Sequence, residues 1–346
     1  MSHIDLSKTE SYNYLLPPEL IAQYPIPGRS GSRLCVVNKS SGKIEHKNFT
    51  DIFDHLNSGD VLVLNKTKVI PARLFGHKTT GAKAEVFLLN QLEEDVWECL
   101  VKPGKRLPKN SEISFCDELK CKVLSVNDEG TRNIKFFWEG DFFEVINKIG
   151  NMPLPPYISR AAEEKDKETY QTVYARNKGS VAAPTAGLHF TDNILKKLKA
   201  KGVLIAEVIL HVGLGTFRPV KTDNIANHKM HSEFCTISEE TANKINKAKD
   251  EGRRIISVGT TTTRTLESFA ENGFVKHGSH FTEIFIYPGK KLQIIDGLIT
   301  NFHMPKSTLM MLVSAFGGYE NIMNAYKQAV DMEYRFFSYG DSMLII

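Results

Sequence analysis

The sequence predicts a mixed-sheet α/β protein interrupted by a small antiparallel β-barrel insertion, and three observations carry that reading. Apolar runs without alternation, such as Val61-Leu62-Val63-Leu64, read as strands buried on both faces. From about residue 157 onward such runs alternate with amphipathic helices, the order of an α/β domain. Between about Pro71 and Gly150 the pattern changes to short strand-like stretches separated by Gly, Asn, Asp and Pro turns, the spacing of a small barrel. The expected organisation is therefore a discontinuous α/β catalytic domain, residues 1–70 and 151–346, with a β-barrel domain at 71–150.

Taken in order, Pro17-Pro18-Glu19-Leu20 is a proline-led helical turn, and Gly59-Asp60 leads into the strand 61–65. In the insertion, 84–89, 96–101 and 133–138 are strand-like, and Leu119-Lys120-Cys121-Lys122-Val123 alternates with period two. Pro153-Leu154-Pro155-Pro156 continues neither helix nor strand and reads as a linker. Residues 203–210 form a buried strand. Ser238 then caps a helix with Glu239 and Glu240 in its first turn, an apolar face of Ala242, Ile245 and Ala248, and Gly252 at its end. Residues 255–258 are again a strand, followed by a helix carrying Leu266 and Phe269 and closed by Gly273.

The 346 residues are enough for about two domains with a core that needs no disulfide staples. Apolar residues make up 41% and charged residues 24%, which excludes a disordered chain or a fibre. The net charge of +4 permits nucleic acid without demanding it. Five cysteines without a C-x-x-C pair argue against a disulfide framework or structural zinc. The N-terminus lacks a signal pattern and no run of 18 apolar residues exists, so a cytoplasmic protein is expected.

Several stretches carry chemistry. The strand 255–258 runs into Gly259-Thr260-Thr261-Thr262-Thr263-Arg264, where backbone N–H groups, hydroxyls and the positive end of a helix converge on an anion site. A threonine cap alone would explain part of this, but four threonines are poor helix formers placed where α/β sheets bind ligands. His211-Val212-Gly213-Leu214-Gly215-Thr216-Phe217-Arg218 begins like G-x-G-x-x-G, yet Arg218 stands at the third glycine and the dinucleotide fingerprint fails. What remains is a glycine-rich loop flanked by a histidine and an arginine. In 179–190, small residues including Ala183, Pro184 and Thr185 let backbone approach a ligand, and His189 closes the stretch. Ser180 with His189 suits a hydrolase, but no G-x-S-x-G elbow accompanies them. His228, His231 and Glu233 invite a metal, although H-x-x-H fits no zinc signature. Residues 300–308 end one strand and open the helix 309–316, with Pro305 near its first turn and His303 and Lys306 near its positive N-terminus, a further anion site. In Tyr334-Arg335-Phe336-Phe337-Ser338-Tyr339-Gly340-Asp341 the aromatics fill a core at a last strand, or Arg335, Tyr339 and Asp341 stack on and hydrogen-bond a base. Lys102, Lys105, Arg106 and Lys109, with Lys66, Lys68 and Arg73 at the insertion's entrance, form either a solvated face or a phosphate-holding patch.

Together these segments resemble one family, the S-adenosylmethionine:tRNA ribosyltransferase-isomerases of queuosine biosynthesis. The resemblance rests on Leu16-Pro17-Pro18-Glu19-Leu20-Ile21-Ala22-Gln23, Leu64-Asn65, Val69-Ile70-Pro71-Ala72-Arg73-Leu74, Val101-Lys102-Pro103-Gly104, Met152-Pro153-Leu154-Pro155-Pro156-Tyr157-Ile158 and Tyr170-Gln171-Thr172-Val173-Tyr174. It continues through 180–190, 211–220, His228-Lys229-Met230-His231-Ser232-Glu233, Val258-Gly259-Thr260-Thr261, Thr300-Asn301-Phe302-His303 and 334–341. Departures are small: Thr262 replaces a usual Ser, and Met304 a usual Leu.

The resemblance implies the same fold and a specific reaction. The ribosyl part of S-adenosylmethionine would be transferred and isomerised onto 7-aminomethyl-7-deazaguanine at the tRNA wobble position, giving epoxyqueuosine and releasing adenine and methionine. S-adenosylmethionine is then a consumed co-substrate, with no cofactor and no metal. The partner would be a tRNA with a GUN anticodon, and the enzyme a monomer. Removing a proton beside the sulfonium and protonating departing adenine suit histidine, so His189, His211 and His231 are the catalytic candidates, with Glu233 orienting one of them. Ala183, Pro184, Thr185, Gly213, Gly215, Gly259, Thr260, Thr261 and Thr262 are expected to bind the donor. Lys102, Lys105, Arg106, Arg218, Asn301, His303, Lys306, Arg335, Tyr339 and Asp341 are expected at tRNA or its base. Two other readings are a β-barrel RNA-binding protein with an inert α/β scaffold and a metal-dependent hydrolase.

Overall fold

The computed structural model describes residues 4–128, 130–213 and 220–346. Strand β1 (Arg33–Val37) pairs antiparallel with β2 (Ile44–Asn48) and is followed by the short helix α1 (Ile52–His55) and by β3 (Val61–Asn65). After β4 (Thr67–Val69) the chain enters a closed barrel. Its strands are β5 (Arg73–Lys78), β6 (Lys83–Gln91), β7 (Val96–Lys102), β8 (Glu112–Cys116), β9 (Leu119–Val126) and β10 (Arg132–Trp138). The period-two reading holds there: Leu119, Cys121 and Val123 are buried while Lys120 is exposed. Helix α2 (Phe142–Ile149) is capped by Asp141, whose carboxylate accepts the Glu144 N–H at 2.8 Å. Its Phe142, Val145 and Ile146 join the barrel core, with the Phe142 ring 5.8 Å from that of Trp97.

The chain then returns through α3 (Asp166–Thr169), β11 (Asn177–Ser180), a 3-10 turn at Thr185–His189, α4 (Asp192–Ala200) and β12 (Leu204–Leu210). Next come β13 (Glu233–Ile237), α5 (Glu239–Asp250), β14 (Ile255–Val258) and α6 (Thr260–Ser268). A hairpin of β15 (Ala270–Glu271) and β16 (Phe274–Val275) precedes β17 (Gly278–Thr282) and β18 (Gly297–Asn301). Helices α7 (Thr308–Gly317) and α8 (Tyr319–Asp331) and strand β19 (Ser342–Ile345) complete the described elements.

Nine strands make one mixed sheet in the order β17-β13-β12-β3-β14-β18-β19-β1-β2. At its centre β12, β3, β14 and β18 run parallel. This is why β3 is apolar from Val61 to Leu64. Val61 and Val63 pack with Ala242, Ile245 and Leu266 on one face, and Leu62 and Leu64 with Phe190, Leu195 and Leu198 on the other. The sheet draws strands from both sides of the barrel in sequence. Among the described residues no helix is long and apolar enough to cross a membrane.

Three local expectations change. Gly273 does not close a helix: α6 ends at Ser268, and Asn272 and Gly273, at φ 53° and 83°, turn the β15–β16 hairpin. Both φ values are positive, the conformation that Asn-Gly favours in two-residue hairpin loops. The helix expected at 309–316 is α7, but Pro305 stands before its cap rather than in its first turn, because the cap is Ser307, which accepts the Met310 N–H at 3.1 Å. The aromatics of 334–341 are in the core, but the last strand lies beyond them at β19.

Candidate active site

Because β12, β3, β14 and β18 are parallel, their carboxyl ends share one edge of the sheet, where α/β proteins bind ligands. Asn65, at the end of β3, ties that edge together. Its Nδ2 donates to the Leu210 carbonyl at 3.0 Å and to Thr261 Oγ1 at 3.3 Å, while its Oδ1 accepts the Leu210 N–H at 3.1 Å. A narrow cavity of about 60 Å³ opens beside it, lined by Ala183, Pro184, Thr185, Gly259, Thr260, Thr261, Asn301 and His303 among others. The threonine turn, the small-residue stretch and the 300–303 segment thus meet in one place.

Each contributor has a local cause. Gly259, not a threonine, caps α6, and its φ of 89° is one that only glycine adopts without strain. The hydroxyls of Thr262 and Thr263 turn away: Thr262 donates to the Val258 carbonyl at 2.7 Å and Thr263 to Ser257 Oγ at 2.9 Å. Thr262, expected at the donor, is fully buried and is not among the residues that line the cavity. Gly187 makes room for Tyr174 rather than for a ligand, since a Cβ there would lie 2.0 Å from the Tyr174 hydroxyl. His303 Nε2 meets Thr300 Oγ1 at 2.7 Å, and burial holds its pKa down at about 3, so the imidazole is neutral.

A larger cavity of about 520 Å³ lies alongside. Ser338 lines both, and His189 lines the larger. His189 Nδ1 meets Ser32 Oγ at 2.7 Å and its Nε2 faces Asn301 Nδ2 at 3.3 Å. Burial lowers its pKa to about 4. Both ring nitrogens are therefore occupied by protein. The serine partner is Ser32, not Ser180, whose hydroxyl is spent on the Ala182 carbonyl and the Val212 N–H. That arrangement removes the Ser180–His189 hydrolase reading. Tyr339 and Arg29 also line this space. The Tyr339 hydroxyl donates to Asp166 at 3.1 Å, and Asp166 is held by two 2.7 Å bonds from Arg160.

The remaining candidates lie apart. His211 Nδ1 meets Thr67 Oγ1 at 2.8 Å, its ring rests against Gly179, and burial lowers its pKa to about 4. His231 and Glu233 line a third, small cavity with His228 and Arg264. Glu233 pairs with Arg264 and accepts the Gly213 N–H at 3.0 Å, contacts that anchor a loop. Asp341 is a buried staple: its carboxylate accepts from the Arg33 N–H at 2.8 Å, Arg33 Nε at 3.1 Å and the Arg335 N–H at 2.9 Å. It is therefore committed away from any base. Arg335 donates to the Tyr24 carbonyl, and Lys306 pairs with Glu10 at 2.5 Å. Lys102, Lys105 and Arg106 are exposed where β7 leaves the barrel and enters a 3-10 turn at Gly104–Arg106. Gly215 and Arg218 lie outside the described residues.

Comparison with known proteins agrees with this architecture. Residues 9–345 match the family described as "Queuosine biosynthesis protein". The chain belongs to that family. It is 56% identical over 341 residues to the S-adenosylmethionine:tRNA ribosyltransferase-isomerase of Clostridioides difficile, covering 98% of this chain and 99% of that protein. It is 54% identical over 342 residues to the enzyme of the same name from Halothermothrix orenii, covering 98% and 100%. Among solved structures it is similar to S-adenosylmethionine tRNA ribosyltransferase from Thermotoga maritima, with 39% identity, 97% and 100% coverage and a TM-score of 0.56.

Three residues at this family member's site escaped the sequence reading as site residues. Asn65 is one; a polar residue closing an otherwise apolar strand was its signal. Ser32 and Ser338 are the others, and nothing local marks them, because their neighbours at the site come from 157 and 181 residues away.

Proposed function

We propose that this chain is an S-adenosylmethionine:tRNA ribosyltransferase-isomerase of queuosine biosynthesis. It moves the ribosyl group of S-adenosylmethionine onto 7-aminomethyl-7-deazaguanine at the wobble position of a GUN-anticodon tRNA, and adenine and methionine leave. It acts in the cytoplasm, as a monomer, without cofactor or metal. The single observation that carries this is membership of the family across residues 9–345, joined to a cavity at the carboxyl edge of the parallel strands.

The amino-acid end of the donor occupies the narrow cavity, with its carboxylate at the α6 N-terminus. The target base enters the larger cavity beside Tyr339. His303 takes over the role expected of His189, His211 or His231. In support, it is the histidine that lines the narrow cavity among the described residues, and its Nδ1 has no protein partner there. A neutral imidazole in that place accepts a proton or hydrogen bond. The exposed basic turn of the barrel holds tRNA phosphates.

The test is adenine release from S-adenosylmethionine with and without substrate tRNA. Release only with tRNA is expected. An RNA-binding protein without catalysis would release none. Loss of activity on chelation, restored by metal, would instead support the hydrolase reading.

A further inference from the structure

The narrow cavity has a feature that anion binding at a helix N-terminus leaves unexplained. Asn301 is buried, and its amide orientation is fixed: Nδ2 donates to the Phe337 carbonyl at 3.0 Å, a group that can only accept. The same Nδ2 faces His189 Nε2, so that nitrogen accepts, and the His189 proton sits on Nδ1 toward Ser32. Asn301 Oδ1 is left without a hydrogen-bond partner on a residue that lines the cavity. A buried orphan acceptor is costly, which argues for a ligand donor opposite it.

The rest of the lining identifies that donor. Among the described residues that line this cavity, none is acidic and none is Lys or Arg. A lone anion such as a phosphate would find no countercharge beyond the helix end. A net-neutral group carrying both signs fits better. The α6 N-terminus supplies N–H donors for a carboxylate. Asn301 Oδ1 supplies an acceptor for an ammonium, which has three donors and no acceptor.

We propose that Asn301 Oδ1 binds the α-ammonium of the donor's methionine moiety, making the cavity a reader of the amino-acid zwitterion. The inference rests on the transferase reading given above and adds a residue to it. His189 is then a positioning residue, holding the Asn301 amide with its oxygen toward the ligand.

Equilibrium binding of S-adenosylmethionine is compared with binding of its deamino analogue, in which hydrogen replaces the α-ammonium. The wild-type protein should prefer S-adenosylmethionine at least tenfold. Asn301→Leu, checked for folding by its melting curve, should bring that ratio to about one. Asn301→Asp keeps an acceptor oxygen in the same volume, so its ratio should equal or exceed the wild-type value, and it carries the test if the leucine variant does not fold. A wild-type ratio near one overturns the proposal. So does an unchanged ratio in Asn301→Leu, or a ratio near one in Asn301→Asp. Failure of the wild type to bind S-adenosylmethionine at all would sink the transferase reading itself, a different result.

Discussion

A carboxylate introduced at Thr261 should compete with the donor's own. Thr261 is the second residue of α6 and lines the narrow cavity with only 8% of its surface exposed. Thr261→Glu adds an anion where the donor's carboxylate is proposed to bind. Two unit charges about 4 Å apart repel by roughly 4 kcal/mol at an effective dielectric of about 20, which sets a ceiling. A tenfold rise in KM for S-adenosylmethionine, about 1.4 kcal/mol, is the floor. The substitution also removes the 3.3 Å bond from Asn65 Nδ2, at a cost of about 1 kcal/mol of stability. Thr261→Gln has nearly the same shape and loses the same bond, so it isolates the charge. Steady-state kinetics at varied donor concentration should show a much higher KM for the Glu variant than for Gln. Direct tRNA binding should match wild type in both. Equal KM values for Glu and Gln, or lost tRNA affinity with the donor spared, would refute the placement of the carboxylate.

Other expectations follow from the same geometry. Gly259→Ala meets nothing closer than Thr261 Oγ1 at 3.6 Å, so its cost is the φ of 89° alone, about 1–3 kcal/mol; urea unfolding checks it, and a wild-type midpoint would contradict it. Replacing Lys105 and Arg106 by Ala should reduce the salt dependence of tRNA binding by about one unit per lost phosphate contact, and an unchanged slope would show that the basic turn is only solvated. Burial depresses the pKa of His303 to about 3, so the unfolded chain binds the proton first as pH falls. Its contribution is complete above about pH 6.5 and is lost below, by up to about 2 kcal/mol at pH 5. His303→Gln should flatten the decline in stability between pH 7 and pH 5, and an identical decline would exclude this histidine as a source.

The sequence by itself determined which elements form and which stretches matter. Hydrophobic period is a local property, so the doubly buried β3, the alternating β9 and the Ser238-capped α5 could all be read directly. The family followed from motifs spread along the whole chain. Only the tertiary structure decided which of those motifs share a cavity. Asn301 and His303, expected at tRNA, join Thr260 and Thr261 because β14 and β18 are parallel neighbours, a pairing that no local pattern encodes. Asp341 looked free to read a base, yet its oxygens are taken by the backbone and side chain of Arg33, 308 residues away. The same holds for the histidines. A sequence shows that an imidazole is present, but its protonation depends on burial and on which groups face its two nitrogens. Those are set by packing between distant segments, as Ser32 and Asn301 do for His189.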